Sequence, residues 1–233
     1  MPDAPVRLYV WHLTSPDEAT ALSAHLSDAE LAQARRFVKP ADGVAYRLGR
    51  GRMREILGAW VGTDPAALSF VVGPSGKPCL CPGPHFNLSH SGGLACLAVH
   101  PNMPLGVDIE APRPVEPSVA RRFFSAAEQK DLSALPQTEW REGFFRCWTR
   151  KEAVVKALGL GLGADLAAFD VTLAPGHPAA VTRCDLESAQ DWSLTHFELT
   201  PGWIGALAMP GRKERPRIEV ALCPPDVDIH CGA

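Results

Sequence analysis

Apolar and polar positions alternate in some stretches of the chain and recur every three to four residues in others. Residues 6–12 (VRLYVWH) read as an opening strand. Helical patterns cover about 16–37 and 43–61, the first opened by Ser15-Pro16 with an acidic first turn. Residues 68–72 (LSFVV) read as a strand, and the Gly- and Pro-rich stretch 73–84 as loop. Strand signals return at 94–99 (LACLAV) and 105–110 (LGVDIE), around a turn at His100-Pro101-Asn102. After the Pro-rich stretch 112–117, helical patterns cover about 118–134 and 139–158, with Gly159 and Gly161 as stop signals. Strands are predicted at 168–173, 192–199 and 203–208, and beyond 210 a loose extension or a late strand. Strand, two helices, then strands occurs twice. The fold class is therefore α+β: two similar α/β halves in one chain, packed face to face about a pseudo-twofold. The halves divide near 103–105, into 1–103 and 104–233.

Composition narrows the function classes. With 46% apolar and 21% charged residues the chain is an ordinary globular protein. A formal charge of −3 argues against a nucleic-acid-coating role. No apolar run reaches bilayer-spanning length and the N-terminus has no signal-peptide pattern, so no membrane partner is expected. Seven scattered cysteines, an odd number, fit a reducing cytoplasm. Cys79-Leu80-Cys81 lacks the usual zinc spacing, and the other cysteines stand singly at 96, 147, 184, 223 and 231, so buried or incidental thiols are expected.

The chemistry concentrates in two segments. In Gly106-Val107-Asp108-Ile109-Glu110 strand periodicity turns both carboxylates to one face, roughly 6–7 Å apart. In Trp148 through Lys156, Glu152 and Lys156 share a helix face. Three carboxylates beside a lysine suit a hard cation such as Mg²⁺ holding a phosphate, with the lysine on phosphate oxygens. Taken singly, each has an ordinary alternative: a solvent-facing strand end, or an i,i+4 helix pair. Phe86 through Gly93 (FNLSHSGG) offers small polar residues that let donors approach an anion, with Ser89 and His90 as candidates, or else a plain strand-entry turn. Lys77, between Gly76 and Pro78, is either aimed at a ligand or a turn lysine in water. Arg35, Arg36, Arg47, Arg50, Arg52 and Arg54 suit a phosphate-rich ligand or form a solvated helix face with Glu55.

Together these segments resemble the 4'-phosphopantetheinyl transferases, the larger monomeric type that activates peptide and polyketide synthases. The matching residues are Arg35-Arg36-Phe37, Gly76-Lys77-Pro78, Phe86 through Ser91, Gly106 through Glu110, Arg122 through Ser125 with Glu128, Trp148 through Lys156, and Pro201-Gly202-Trp203. The resemblance implies coenzyme A in the cleft between two α/β halves, and Asp108, Glu110 and Glu152 as ligands of Mg²⁺, with Mn²⁺ an alternative. It places Asn87 to His90 around the pyrophosphate and adenosine, with Lys77 nearby and Lys156 facing the phosphates. Residues 112–126, including Arg121 and Arg122, would border the docking surface for an apo acyl or peptidyl carrier protein. Relatives commonly carry basic residues for the 3'-phosphate where this chain has Glu30 and Gln33, so Arg36, Arg47 or another arginine takes over that contact or coenzyme A binds more weakly.

The implied reaction moves the 4'-phosphopantetheine arm of coenzyme A to a carrier serine, giving holo carrier and 3',5'-ADP. Glu152 would take the serine proton, and His90 and Lys156 would stabilise the leaving pyrophosphate charge. Two rivals remain at this stage: a Mg²⁺-dependent phosphoester hydrolase, and a non-catalytic carrier-binding relative. A cytoplasmic monomer is expected.

Overall fold

The computed structural model describes residues 4–73, 75–186, 191–199 and 202–222. Pro201, Cys223 and Cys231 lie outside them.

Strand β1 (Val6–His12) buries Val6, Leu8 and Val10 on one face. The continuous helix expected over 16–37 is instead α1 (Pro16–Leu22), a short 3₁₀ turn and α2 (Asp28–Arg35). The break has a local cause. Ser27 caps α2 and Glu30 returns a hydrogen bond to the Ser27 amide, a reciprocal cap that starts a new helix inside an apolar periodicity. Helix α3 (Pro40–Val61) follows. Of the strand expected at 68–72 only β2 (Val71–Val72) forms, paired with β3 (Pro78–Cys79) inside the Gly/Pro loop. Next come β4 (His85–Ser91), β5 (Leu94–His100) and β6 (Gly106–Glu110).

The helix expected at 118–134 breaks for the same reason as the first. Ser125 and Glu128 form a reciprocal cap that separates α4 (Pro117–Phe123) from α5 (Ala126–Ala134). Helix α6 (Gln137–Leu158) ends at Gly159, whose φ of 67° is the left-handed stop the sequence indicates. Strands β7 (Phe169–Val171), β8 (Val181–Cys184), β9 (Trp192–Glu198), β10 (Ile204–Pro210) and β11 (Ile218–Leu222) follow among the described residues. The described part of the segment beyond 210 takes the form of a late strand. No helix among the described residues is long and apolar enough to cross a membrane.

Two main sheets result, ordered β11-β1-β5-β4 and β6-β10-β9. Val6, Leu8, Val10, Cys96 and Ala98 of the first meet Val107, Ile109, Phe197 and Leu207 of the second in one buried cluster. Helix α3 covers the outer face of the first sheet and α6 that of the second, each with its own core. The α+β class with two similar halves is thus realised as helix, sheet, sheet, helix, and α3 and α6 are counterparts of 22 residues each. Strand β11 crosses the expected division: it runs parallel to β1, Val6 opposite Ile218 through Val10 opposite Leu222.

Helix α6 lies close against β6. A Cβ on Gly106 would sit 2.1 Å from the Ala153 carbonyl oxygen and 2.3 Å from the Ala157 nitrogen. From outside, α6 is fastened by Lys151, which is fully buried. Its ammonium pairs with Glu128 at 2.8 Å and donates at 2.6 Å to the carbonyls of Leu166 and Phe169. Lys151 and Glu128 are therefore structural members of the motifs in which they stand, a buried pair whose remaining valences are met by backbone.

Candidate active site

The segment FNLSHSGG is not a strand-entry turn. Residues 85–91 form β4, whose Phe86 and Leu88 pack under α3 while Asn87, Ser89 and Ser91 face the edge of β6. Small hydrogen-bonding residues look like turn composition, but here they replace a backbone ladder between the two sheets. The Asn87 side-chain oxygen accepts from the Val107 amide at 2.8 Å. Ser89 Oγ accepts from the Ile109 amide at 3.3 Å and donates to Asp108 Oδ1 at 2.8 Å. Ser91 Oγ accepts from the Ala111 amide at 3.2 Å and donates to Glu110 Oε2 at 2.5 Å.

Strand β6 buries Val107 and Ile109 between the sheets, so Asp108 and Glu110 turn toward α6, as the alternation predicts. The glycine at 106 brings α6 close enough for Lys156 Nζ to reach Asp108 Oδ1 at 2.6 Å and Ser89 Oγ at 3.1 Å. Lys156 is therefore the partner of Asp108, not the i,i+4 partner of Glu152. Glu110 is also held by the exposed Arg113, at 2.6 Å. Asp108 Oδ2 is buried and has no hydrogen-bond partner.

Electrostatics mark the same group. Burial pushes the Asp108 carboxyl up, against the pull of Lys156. Burial also raises Glu152, and the negative charge of Asp108 adds to the shift. As the side chains stand, no three His, Cys, Asp or Glu groups among the described residues converge enough to hold a cation.

Lys77 stands beside this group, and the arginine candidates lie farther off. Lys77 Nζ donates to the carbonyls of Leu105 at 2.8 Å and Lys156 at 2.6 Å, and burial lowers its ammonium to about 8. The arginine run is largely committed to carboxylates. Arg50 and Arg54 both pair with Glu30, at 3.0 and 2.7 Å, and Arg52 pairs with Glu18 and Glu55. Glu30 thus caps α2 and neutralises two guanidiniums, which gives its acidic character a structural cause. Arg36 is exposed just after α2. Arg47 donates to the carbonyl of Gly43 and lines a peripheral cavity with Arg35.

Two other cavities meet at Pro78 and Asn87, and Glu152 lines one of them. One, of about 400 Å³, lies between the 75–78 loop and α6, walled by Lys77, Phe123, Trp148, Glu152 and Lys156. The other, of about 550 Å³, lies under α3, walled by Phe37, Tyr46, Arg50, Phe86, His90 and Ser91.

The model of the 4'-phosphopantetheinyl transferase superfamily matches residues 104–208, the span from β6 through α6 to β10. The chain is 38% identical over 203 residues to 4'-phosphopantetheinyl transferase HetI of Nostoc sp., covering 84% of this chain and 83% of that protein. It is 30% identical over 198 residues to 4'-phosphopantetheinyl transferase Sfp of Bacillus subtilis, covering 84% and 87%. It is 33% identical over 187 residues to 4'-phosphopantetheinyl transferase AcpT of Salmonella typhimurium, covering 78% and 92%. With these likenesses spanning both halves, and with Asp108, Glu152 and Lys156 gathered between β6 and α6, the chain belongs to the 4'-phosphopantetheinyl transferase superfamily.

Proposed function

We propose that the protein transfers the 4'-phosphopantetheine arm of coenzyme A to a serine of an apo acyl or peptidyl carrier protein, releasing 3',5'-ADP. The observation that carries this reading is that Glu152 and Lys156, with Asp108 bonded to Lys156, line one of two cavities that meet at Pro78 and Asn87. A ligand with a central pyrophosphate and an arm on either side suits that layout. The apolar walls of Phe123 and Trp148 fit the pantetheine arm, and the Phe37 and Tyr46 rings fit a nucleotide.

A divalent cation, Mg²⁺ or Mn²⁺, fits this donor set. Asp108 Oδ2 is a buried oxygen without a partner, and burial raises both Asp108 and Glu152, with Glu110 adding to each and Asp108 adding to Glu152. Asp108, Glu110 and Glu152 would hold the ion, Glu110 exchanging its contact with the exposed Arg113. When bound, it supplies positive charge that offsets the negative charge of the pyrophosphate.

The chain's own residues supply the rest. The carrier serine oxygen attacks the phosphorus that bears the pantetheine arm, and the bond from that phosphorus to the 3',5'-ADP oxygen breaks. Glu152, whose carboxyl burial has raised, takes the serine proton. Lys156 sets its ammonium against the phosphate oxygens, and His90, exposed at the larger cavity, stabilises the leaving 3',5'-ADP. Asn87 places its side-chain amide along the pyrophosphate, Ser89 sits behind it with its proton on Asp108, and Lys77 lines the neighbouring wall, while Arg36 and Arg47 offer cations for the 3'-phosphate from the surface beside Phe37. We infer a cytoplasmic monomer, supported by free cysteines at 79, 81, 96 and 147 and by a cleft that both halves of one chain line.

Intact mass of apo carrier domains incubated with the protein, coenzyme A and Mg²⁺ tests the reading. A gain of one phosphopantetheine arm, lost on chelation, is expected. Free phosphopantetheine formed without any carrier would identify a hydrolase instead. Lys156→Ala is expected to lower turnover about 30-fold, because it removes the cation from the phosphates. A rate within about twofold of the original would reduce Lys156 to a helix-face partner.

A further inference from the structure

We propose that Ser91, which takes no part in the chemistry above, is a positioning residue that aims the Glu110 carboxylate. The proposal rests on the reading of Asp108, Glu110 and Glu152 as ligands of a divalent cation. A serine hydroxyl has one proton to give. The Ala111 amide already fixes the Ser91 oxygen from one side at 3.2 Å, so its proton is left for Glu110 Oε2, 2.5 Å away. The same two-point arrangement recurs two residues earlier, where Ser89 accepts from Ile109 and donates to Asp108. Because β4 and β6 keep this register, each serine accepts from the amide just after the carboxylate it serves.

The backbone of Ser91 is also fixed. Its carbonyl accepts from Trp203 Nε1 at 3.2 Å. The turn that follows is packed so tightly that a Cβ on Gly92 would lie 2.7 Å from the Ala111 side chain and 3.1 Å from Trp203. Arg113, the other partner of Glu110, differs in kind: its side chain is 61% exposed and carries the positive charge a cation would replace. Ser91 is neutral and anchored, and it can keep its bond to Glu110 while an ion binds the carboxylate. Hydrogen-bond partners of this kind orient a ligand for its metal, and their loss costs about 10–100-fold in metal affinity.

Manganese binding to the protein without coenzyme A, followed by electron paramagnetic resonance, tests the proposal directly. Ser91→Ala is expected to weaken Mn²⁺ at least about tenfold and to raise the metal needed for half-maximal transfer by the same factor. The KM for coenzyme A at saturating metal is expected to stay within about twofold. Ser91→Thr, which keeps the hydroxyl, is expected to restore affinity to within about twofold. Should the alanine variant fail to fold, Ser91→Cys, similar in size and a weak donor, is expected to show the same loss. Unchanged Mn²⁺ affinity in Ser91→Ala beside normal wild-type binding overturns the proposal alone, as does a raised KM for coenzyme A with metal affinity intact. A wild-type protein that binds no Mn²⁺ overturns the cation reading and this proposal together.

Discussion

Asp108→Asn is expected to lower phosphopantetheine transfer at least about 1,000-fold while leaving the melting temperature unchanged or higher. The loss follows from removing one of three charged oxygen donors, a change worth several kcal/mol of transition-state stabilisation. The stability result follows from the sign of the shift at Asp108. Its folded carboxyl is raised, so the native state favours the protonated form and the charged group is a cost at neutral pH. Asparagine keeps the shape and removes that cost. Lys156 loses a partner, but its side chain is 27% exposed and can turn to water. Transfer kinetics and a thermal melt on the same preparation decide the matter. A collapse in stability would make Asp108 a structural residue, and retained transfer would remove it from the chemistry.

The second large effect belongs to Gly106→Ala. The added methyl would meet backbone atoms of α6: the Ala153 oxygen at 2.1 Å, the Ala157 nitrogen at 2.3 Å and the Lys156 carbonyl carbon at 2.8 Å. None of these can move without the helix. The variant is expected to lose about 3 kcal/mol of unfolding free energy in urea, the upper part of the usual overpacking range. Its transfer rate is expected to fall about 100-fold even where circular dichroism shows it folded, because α6 carries Glu152 and Lys156 away from Asp108. A urea midpoint and rate equal to wild type would mean that α6 does not lie this close to β6.

What could be read in the sequence was what lies within a few residues. The alternation of Gly106 through Glu110 and the four-residue step from Glu152 to Lys156 give face and direction without a fold. The two helix breaks were also local: Ser27 with Glu30 and Ser125 with Glu128 are three residues apart, and the apolar periodicity running through them masked the signal. What could not be read depends on register between distant segments. Asn87, Ser89 and Ser91 look like loop residues until β6 is laid beside them, twenty positions on in the chain. Ser91 and Arg113 were missed as partners of Glu110 on that account. The arginines of α3 looked like a ligand-facing run because Glu30, which engages two of them, is 20 and 24 residues away. Composition cannot show that such charges are already spent.

The parallel pairing of β1 with β11 bears on how the chain is made. On the ribosome Ile218–Leu222, which cover one edge of β1, are built more than two hundred residues after it. At about 5–20 residues per second, that edge stays open for roughly ten to forty seconds. Val6, Leu8 and Val10 are buried against β6, β9 and β10, so what stays open until β11 is made is the strand's hydrogen-bonding edge. Pairing of Ile218–Leu222 with Val6–Val10 is therefore the step that closes this edge of the first sheet.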